Sequence, residues 1–340
     1  MPVAIFGGRG SGKTVFLHML YETQVEYANK LKLEKGSERN LPFRFFAEAS
    51  LVNYMGQIGT KLYNKEWPDA TVKGTQLRYW FLYGYLDPFK IGWYNTLKFT
   101  VYDIGGEDVE SVQEVMSSCN ADGIDAKDLV FEELPSTIKE LLSANVMVFL
   151  IDFSKVATQP GTPEYKEMQE YDTFMATVIS FVANYKSKDK KDKKWKLYPV
   201  FVFTKFDTLS EKLLNGLNLK KPGTLIDAKP LEKFTGTVRK ERKEFSEKLM
   251  GYFFRQTMAL ASGGKLVNVD FDKAGYFFSS MEVEKGEDGE PVPVVKQRDN
   301  VQGVYALQYS KDEYISFIEY FRDIAKDMPD EVKKEQDFLR

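Results

Sequence analysis

The chain has 340 residues, 43% of them hydrophobic and 29% charged, with a formal net charge of −3. This is the balance of a folded globular protein, and it supplies no overall basic field to recruit nucleic acid or anionic lipid. One cysteine, Cys119, and one histidine, His18, exclude a disulfide framework and a Cys/His zinc cluster and suit a reducing, cytoplasmic setting.

The first strand is expected at 3–6, the apolar run Val3-Ala4-Ile5-Phe6. Gly7-Gly8-Arg9-Gly10-Ser11-Gly12-Lys13-Thr14 follows at once and fits G-x-x-x-x-G-K-[ST], the Walker A pattern, at every fixed position. Glycines there let consecutive N–H groups turn towards phosphate oxygens. Lys13 can add a point charge and Thr14 a hydroxyl for Mg²⁺. A helix over 13–32 brings its positive end to the same place. A Ser-His-Asp triad would have to use His18, which lies in this helix among Phe16, Leu17, Met19 and Leu20 and reads as structural.

Residues 34–70 read as an insertion, with a short apolar piece (Phe43, Phe45, Phe46) and a helix from Ala47 to Tyr63. Thr75 to Leu86 and Thr96 to Asp103 read as a β-hairpin around a Pro/Gly loop. Its aromatic run Tyr79-Trp80-Phe81-Leu82-Tyr83 suits core packing. Residues 107–142 are expected to be helical, with breaks near Gly123 and Pro135. Val146 to Asp152 is a buried parallel strand. A helix is predicted over 163–185. Lys186 to Lys196, with seven lysines and two aspartates, reads as a solvated loop. The next buried strand is Pro199 to Phe203.

Residues 208–236 read as a second, loop-like insertion, followed by one long helix over 237–261 and a strand within Val267 to Ser279. A solvated hairpin lies in Glu282 to Val295, and Asp312 to Asp327 forms a closing helix that packs on the sheet. The alternation of strands and helices predicts one α/β domain over 1–340. It would have a mostly parallel sheet, one antiparallel edge strand from the hairpin, and helices on both faces. The tail over 282–340 extends it. No apolar run is long enough to span a membrane. With two residues ahead of the first strand no signal peptide is expected, and neither Pro2 nor the end at Arg340 suits a lipid anchor.

Three further strand-end clusters follow the phosphate-loop motif. Asp103-Ile104-Gly105-Gly106 has the form D-x-x-G, in which a carboxylate can hold Mg²⁺ through water and a glycine N–H can meet a γ-phosphate. Thr204-Lys205-Phe206-Asp207 has the form [NT]-K-x-D. A carboxylate there can accept from guanine N1–H and N2–H₂, a donor pair adenine lacks. Ser279-Ser280-Met281 can turn backbone N–H groups towards guanine O6.

In this order the motifs resemble the Ras-like P-loop GTPases of the TRAFAC class. Phe99 to Asp108 and Phe149 to Ser154 look most like the Arf and G-protein α-subunit forms. The resemblance covers scattered motifs across 3–281, and the insertions and tail have no counterpart in a minimal small GTPase. It implies a three-layer, small-GTPase-like fold and a nucleotide-dependent molecular switch that binds GTP and GDP with Mg²⁺ and hydrolyses GTP. It makes Gly8, Gly10, Ser11, Gly12, Lys13, Thr14, Val15, Gly106, Thr204, Lys205, Asp207, Ser279, Ser280 and Met281 nucleotide contacts. Thr14, Asp103 and a switch I threonine, Thr71 in preference to Thr75, would serve the metal. Lys13, Glu107 and Arg9 would be the catalytic group.

Two departures matter. Glu107 stands where the family usually has a water-positioning glutamine, so it loses the amide donor and adds charge, and slow hydrolysis is expected. Arg9 inside the loop can screen phosphate charge like an arginine finger, or point to solvent. Protein effectors or regulators would bind the switch regions and the 75–102 hairpin. Nucleic acid is not expected as a partner, and a nucleotide-dependent dimer stays open. The alternatives are an ATP-dependent P-loop enzyme using Asp152 as its metal carboxylate, and a nucleotide-binding scaffold that barely hydrolyses.

Overall fold

Alternation along the central strands sets the architecture. In a strand, successive side chains point to opposite faces. In Pro2–Gly7 (β1) Val3 and Ile5 join one buried cluster while Ala4 and Phe6 join another. Val146–Asp152 (β5) and Tyr198–Thr204 (β6) divide the same way, Val148 and Val200 to one side, Phe149 and Phe201 to the other. Both faces of the sheet are therefore covered, as a near-continuous apolar strand requires. The computed structural model describes residues 1–8, 10–35, 43–69, 78–86, 94–103, 108–121, 125–156, 160–187, 196–209, 211–219, 237–263, 266, 268–297 and 302–326.

The main sheet has seven strands. Phe43–Phe46 (β2), Arg78–Leu86 (β3) and Tyr94–Asp103 (β4) lie on one side of β1, and β5, β6 and Gly275–Ser279 (β7) on the other, in the order β2-β3-β4-β1-β5-β6-β7. Four successive pairings from β4 to β7 are parallel. The antiparallel strand β3 is not the edge, as the sequence had suggested. It pairs with β4 on one side and with β2 on the other, so Phe43 to Phe46, read as a fragment of an insertion, forms the true edge.

One face is covered by Lys13–Lys35 (α1), Ala49–Tyr63 (α2) and the closing helix Lys311–Lys326. Phe16 of α1 lies 5.3 Å from the ring of Tyr314 and 5.6 Å from that of Phe317. The closing helix thus completes this layer, as expected. The opposite face carries Asp108–Ala121 (α3), Ser136–Ser143 (α4), Phe153–Val156 (α5), Pro163–Lys186 (α6) and Thr237–Phe253. Helix α6 begins where Thr162 Oγ1 accepts from Tyr165 N, with Pro163 in the first turn.

Three local expectations need correction. A short helix, Glu211–Gly216, occupies part of the stretch read as loop. The long helix over 237–261 is two helices, Thr237–Phe253 and Arg255–Ser262, interrupted at the buried Phe254. The interruption has a cause in α6. Asp172, 1% exposed, accepts from the backbone N–H groups of Gln256 and Thr257, which are unsatisfied donors of a new helix start. The lysine run is also not uniformly solvated at its ends. Lys186 finishes α6 with its ammonium on the Ala144 carbonyl, and Lys196 pairs with Asp270 at 2.9 Å.

The tail forms two small hairpins, Val283–Lys285 with Pro291–Pro293 and Val295–Gln297 with Tyr305–Leu307. The first hairpin holds the end of the first insertion: Trp67 Nε1 donates to Pro291 O and Lys65 pairs with Glu284.

Candidate functional site

The phosphate-loop motif begins where β1 ends. Gly7 is buried, and a Cβ there would overlap Ser11 Oγ while touching Leu150 Cβ and Lys13 Cβ at 3.4 Å. Position 7 therefore has room for no side chain unless Ser11 Oγ moves. Gly10 and Gly12 have φ of 75° and 79°, in the left-handed region that favours glycine. Ser11 N–H closes the turn onto Gly8 O at 3.0 Å, and Phe16 N–H onto Gly12 O at 2.8 Å starts α1. The helix has no acidic residue in its first turn to oppose an anion there. Lys13 is buried and Thr14 half-buried. Ser11 Oγ is buried with no hydrogen-bond partner.

The loop is held from β6. Thr204 Oγ1 donates to Ser11 O at 2.7 Å, and Lys205 Nζ donates to Gly10 O at 3.0 Å. Because a trans peptide sets its C=O and N–H on opposite sides, these bonds fix two consecutive peptide planes. Holding the Ser11 carbonyl on β6 aims Gly12 N–H the other way, and holding Gly10 O does the same for Ser11 N–H. The two motifs, 193 residues apart along the chain, are thereby one piece of structure.

Within Thr204-Lys205-Phe206-Asp207 the variable residue is the anchor. Phe206 is buried with its ring 5.6 Å from Phe153 and 4.5 Å from Phe278. Lys205 takes a left-handed conformation, φ 52° and ψ 37°, and its carbonyl accepts from Thr208 N and Oγ1. Asp207 comes to the surface. In register, Asp152, Thr204 and Ser279 form one row across three strand ends.

Asp152, which the ATP-dependent alternative gives to a metal, lies beside this junction. Its Oδ2 accepts from Lys205 Nζ at 2.7 Å, and its Oδ1 from Ser154 N at 3.0 Å and Ser154 Oγ at 2.6 Å. The aspartate itself was the available signal, since an Asp side chain often accepts from the backbone N–H two residues on.

At the end of β7, Ser279 Oγ lies 2.6 Å from Tyr314 OH. Ser280 N–H donates to Ser310 Oγ at 3.3 Å, and Ser280 O accepts from Ser310 N at 3.2 Å. Met281 is buried and bridges to Tyr309. The start of the closing helix thus clamps the turn that follows β7. Arg242 completes the clamp. It grips Glu313 through both of its terminal nitrogens at 2.6 Å, and Glu313 Oε2 also accepts from Phe278 N.

No family model matches the chain. No curated protein is significantly similar to it either.

Asp103 ends β4, which pairs with β1 through Ile5↔Asp103 and so reaches the strand ends beside the phosphate loop. Thr14 and Asp103 are hard oxygen donors from neighbouring elements. Mg²⁺ takes few protein ligands of this kind and completes its shell with water and phosphate oxygens, so the donor set fits that ion. Among the described residues no three His, Cys, Asp or Glu side chains cluster to hold a metal by themselves. Arg9, Thr71, Thr75, Gly106 and Glu107 lie outside the described residues.

His18 is 5% exposed and packs against Gly59 of α2, where an added Cβ would stand 2.8 Å from its Cε1. Desolvation lowers its pKa to about 4, so it is neutral at physiological pH. Among the described residues no helix is long and apolar enough to cross a membrane.

Proposed function

We propose that the chain binds GTP at the loop over 7–14, hydrolyses it slowly to GDP, and acts as a nucleotide-dependent switch in the cytoplasm. The observation that carries this reading is the pair of bonds from Thr204 and Lys205 to the carbonyls of Ser11 and Gly10. Phosphate binding and base selection must act on one ligand, and these bonds join the two motifs rigidly.

In this reading the glycine-shaped turn and the start of α1 receive the phosphates through backbone N–H groups. Lys13 supplies a point charge to the β- and γ-phosphates. The unpartnered Ser11 Oγ is a donor for the same anion. Thr14 and Asp103 would hold Mg²⁺, which would supply charge compensation on the phosphates. Asp207 accepts from guanine N1–H and N2–H₂, and Phe206 sets the turn that presents it. Ser279, Ser280 and Met281 border the base. Arg9, Gly106, Glu107 and Thr71 keep the roles that the resemblance implies. With a glutamate as water-positioning group, intrinsic hydrolysis falls on the order of 10⁻³ s⁻¹ or below. Partners are protein effectors or regulators at the switch regions and the 75–102 hairpin. The rival ATP-dependent reading needs Asp152 for metal, and both of its oxygens are engaged by Lys205 and Ser154.

Single-turnover conversion of radiolabelled GTP on the purified chain tests the activity. Slow conversion, abolished in Lys13→Ala and faster in Glu107→Gln, is expected. ATP turned over at the same or a higher rate would defeat the proposal.

A further inference from the structure

We propose that Asp152 is a positioning residue of the nucleotide site: its carboxylate aims the Lys205 ammonium at the Gly10 carbonyl and so sets the shape of the phosphate loop. The inference rests on the GTP reading above only for its effect on nucleotide.

Lysine is a flexible point charge with three rotatable donors, and the Lys205 side chain is 42% exposed. Nothing in its covalent structure turns it towards Gly10 rather than towards water. Asp152 does. It closes β5 with its side chain 6% exposed, one strand away from Lys205. Its own rotamer is fixed from behind, because Ser154 N and Oγ both donate to Oδ1 and leave Oδ2 for Lys205. The ammonium then has a second donor in line with Gly10 O at 3.0 Å.

The chain of contacts thus runs from Ser154 through Asp152 and Lys205 to Gly10. It ends on a peptide plane whose other side, Ser11 N–H, closes the loop onto Gly8 O. An ion pair with one partner so exposed adds little to global stability. Its consequence is local, in how firmly the loop holds the conformation that receives phosphate.

The test uses the full chain and Asp152→Asn, Asp152→Glu, Lys205→Met and the Asp152→Asn/Lys205→Met pair. Hydrogen exchange of peptides covering 7–14 is measured without nucleotide, and release of a fluorescent GDP is measured with Mg²⁺. Asp152→Asn is expected to speed exchange in the loop alone and to speed release roughly tenfold, the usual scale for losing a residue that orients a ligand-binding group. Asp152→Glu should recover part of both effects, and Lys205→Met should match Asp152→Asn. The double variant should exceed either single one by no more than about twofold, as coupled neighbours do. Unchanged exchange and release in Asp152→Asn, multiplying effects in the double variant, or exchange rising equally across the central strands would each overturn the proposal. If the unaltered chain binds no guanine nucleotide, the GTP reading fails, and the exchange measurement still decides the role of Asp152.

Discussion

Thr204→Val removes one hydroxyl from the junction of the two motifs while keeping the side-chain shape. Thr204 is 3% exposed, and its Oγ1 lies 2.7 Å from Ser11 O and 3.2 Å from Ile151 O. A hydroxyl has one proton, so the shorter contact takes it, and valine leaves the carbonyl of the buried Ser11 without that donor. Such a loss costs about 1–3 kcal/mol. Part of it falls on the fold and, under the proposed function, part on the loop's grip on phosphate. If the nucleotide complex bore all of it, GTP affinity would drop by about 5- to 150-fold. Thr204→Ser keeps the donor and should stay within about 1 kcal/mol of the parent. Denaturant unfolding with and without GTP, together with titration of nucleotide, separates the two shares. If the valine variant unfolds within about 0.5 kcal/mol of the parent and binds GTP equally well, the junction does not hold the loop.

Three further outcomes follow from the same geometry. Asp172→Ala strips the cap from Gln256 N and Thr257 N and should destabilise the fold by about 2–3 kcal/mol in denaturant unfolding, with GTP affinity in the surviving folded chain unchanged. Arg242→Met leaves Glu313 with its charge unpaired beneath β7 and should cost about 3 kcal/mol, whereas Arg242→Met with Glu313→Gln should recover much of that loss. His18 has a folded pKa of about 4 against 6.5 unfolded, so the unfolded chain takes up the proton first. Stability from this group is complete above pH 6.5 and is lost as pH falls towards 4, at up to about 1.4 kcal/mol per pH unit. Unfolding of the parent and of His18→Met should therefore diverge in slope only across that window, and parallel slopes would contradict it.

The parts of the fold carried by local pattern were readable in advance. The glycines of the phosphate loop, the apolar runs of β5 and β6, and the periodicity of α6 each depend on neighbours a few residues away. Other features depend on distant chain. Phe43 to Phe46 is too short for its alternation to mark a strand, and only pairing with β3 reveals it as the edge. The break at Phe254 carries no glycine or proline. It is imposed by Asp172, more than eighty residues earlier. The bond between Asp152 and Lys205 requires β5 and β6 to be adjacent and in register, which motif spacing does not state. The phosphate loop and the Thr204-Lys205-Phe206-Asp207 motif were both visible as sequences, but their direct attachment to each other was not.

Guanine selection at the proposed phosphate loop, tied to the end of β6, is tested most directly by calorimetry. The chain, freed of nucleotide, is titrated in Mg²⁺ with non-hydrolysable analogues of GTP and of ATP, and the pair of titrations is repeated on Asp207→Asn. A site built to bond the guanine donors should favour the GTP analogue by at least about 100-fold, and the substitution should erase that preference while leaving the fold intact. Equal affinity for the two analogues, or a GTP preference that survives in Asp207→Asn, would contradict the account.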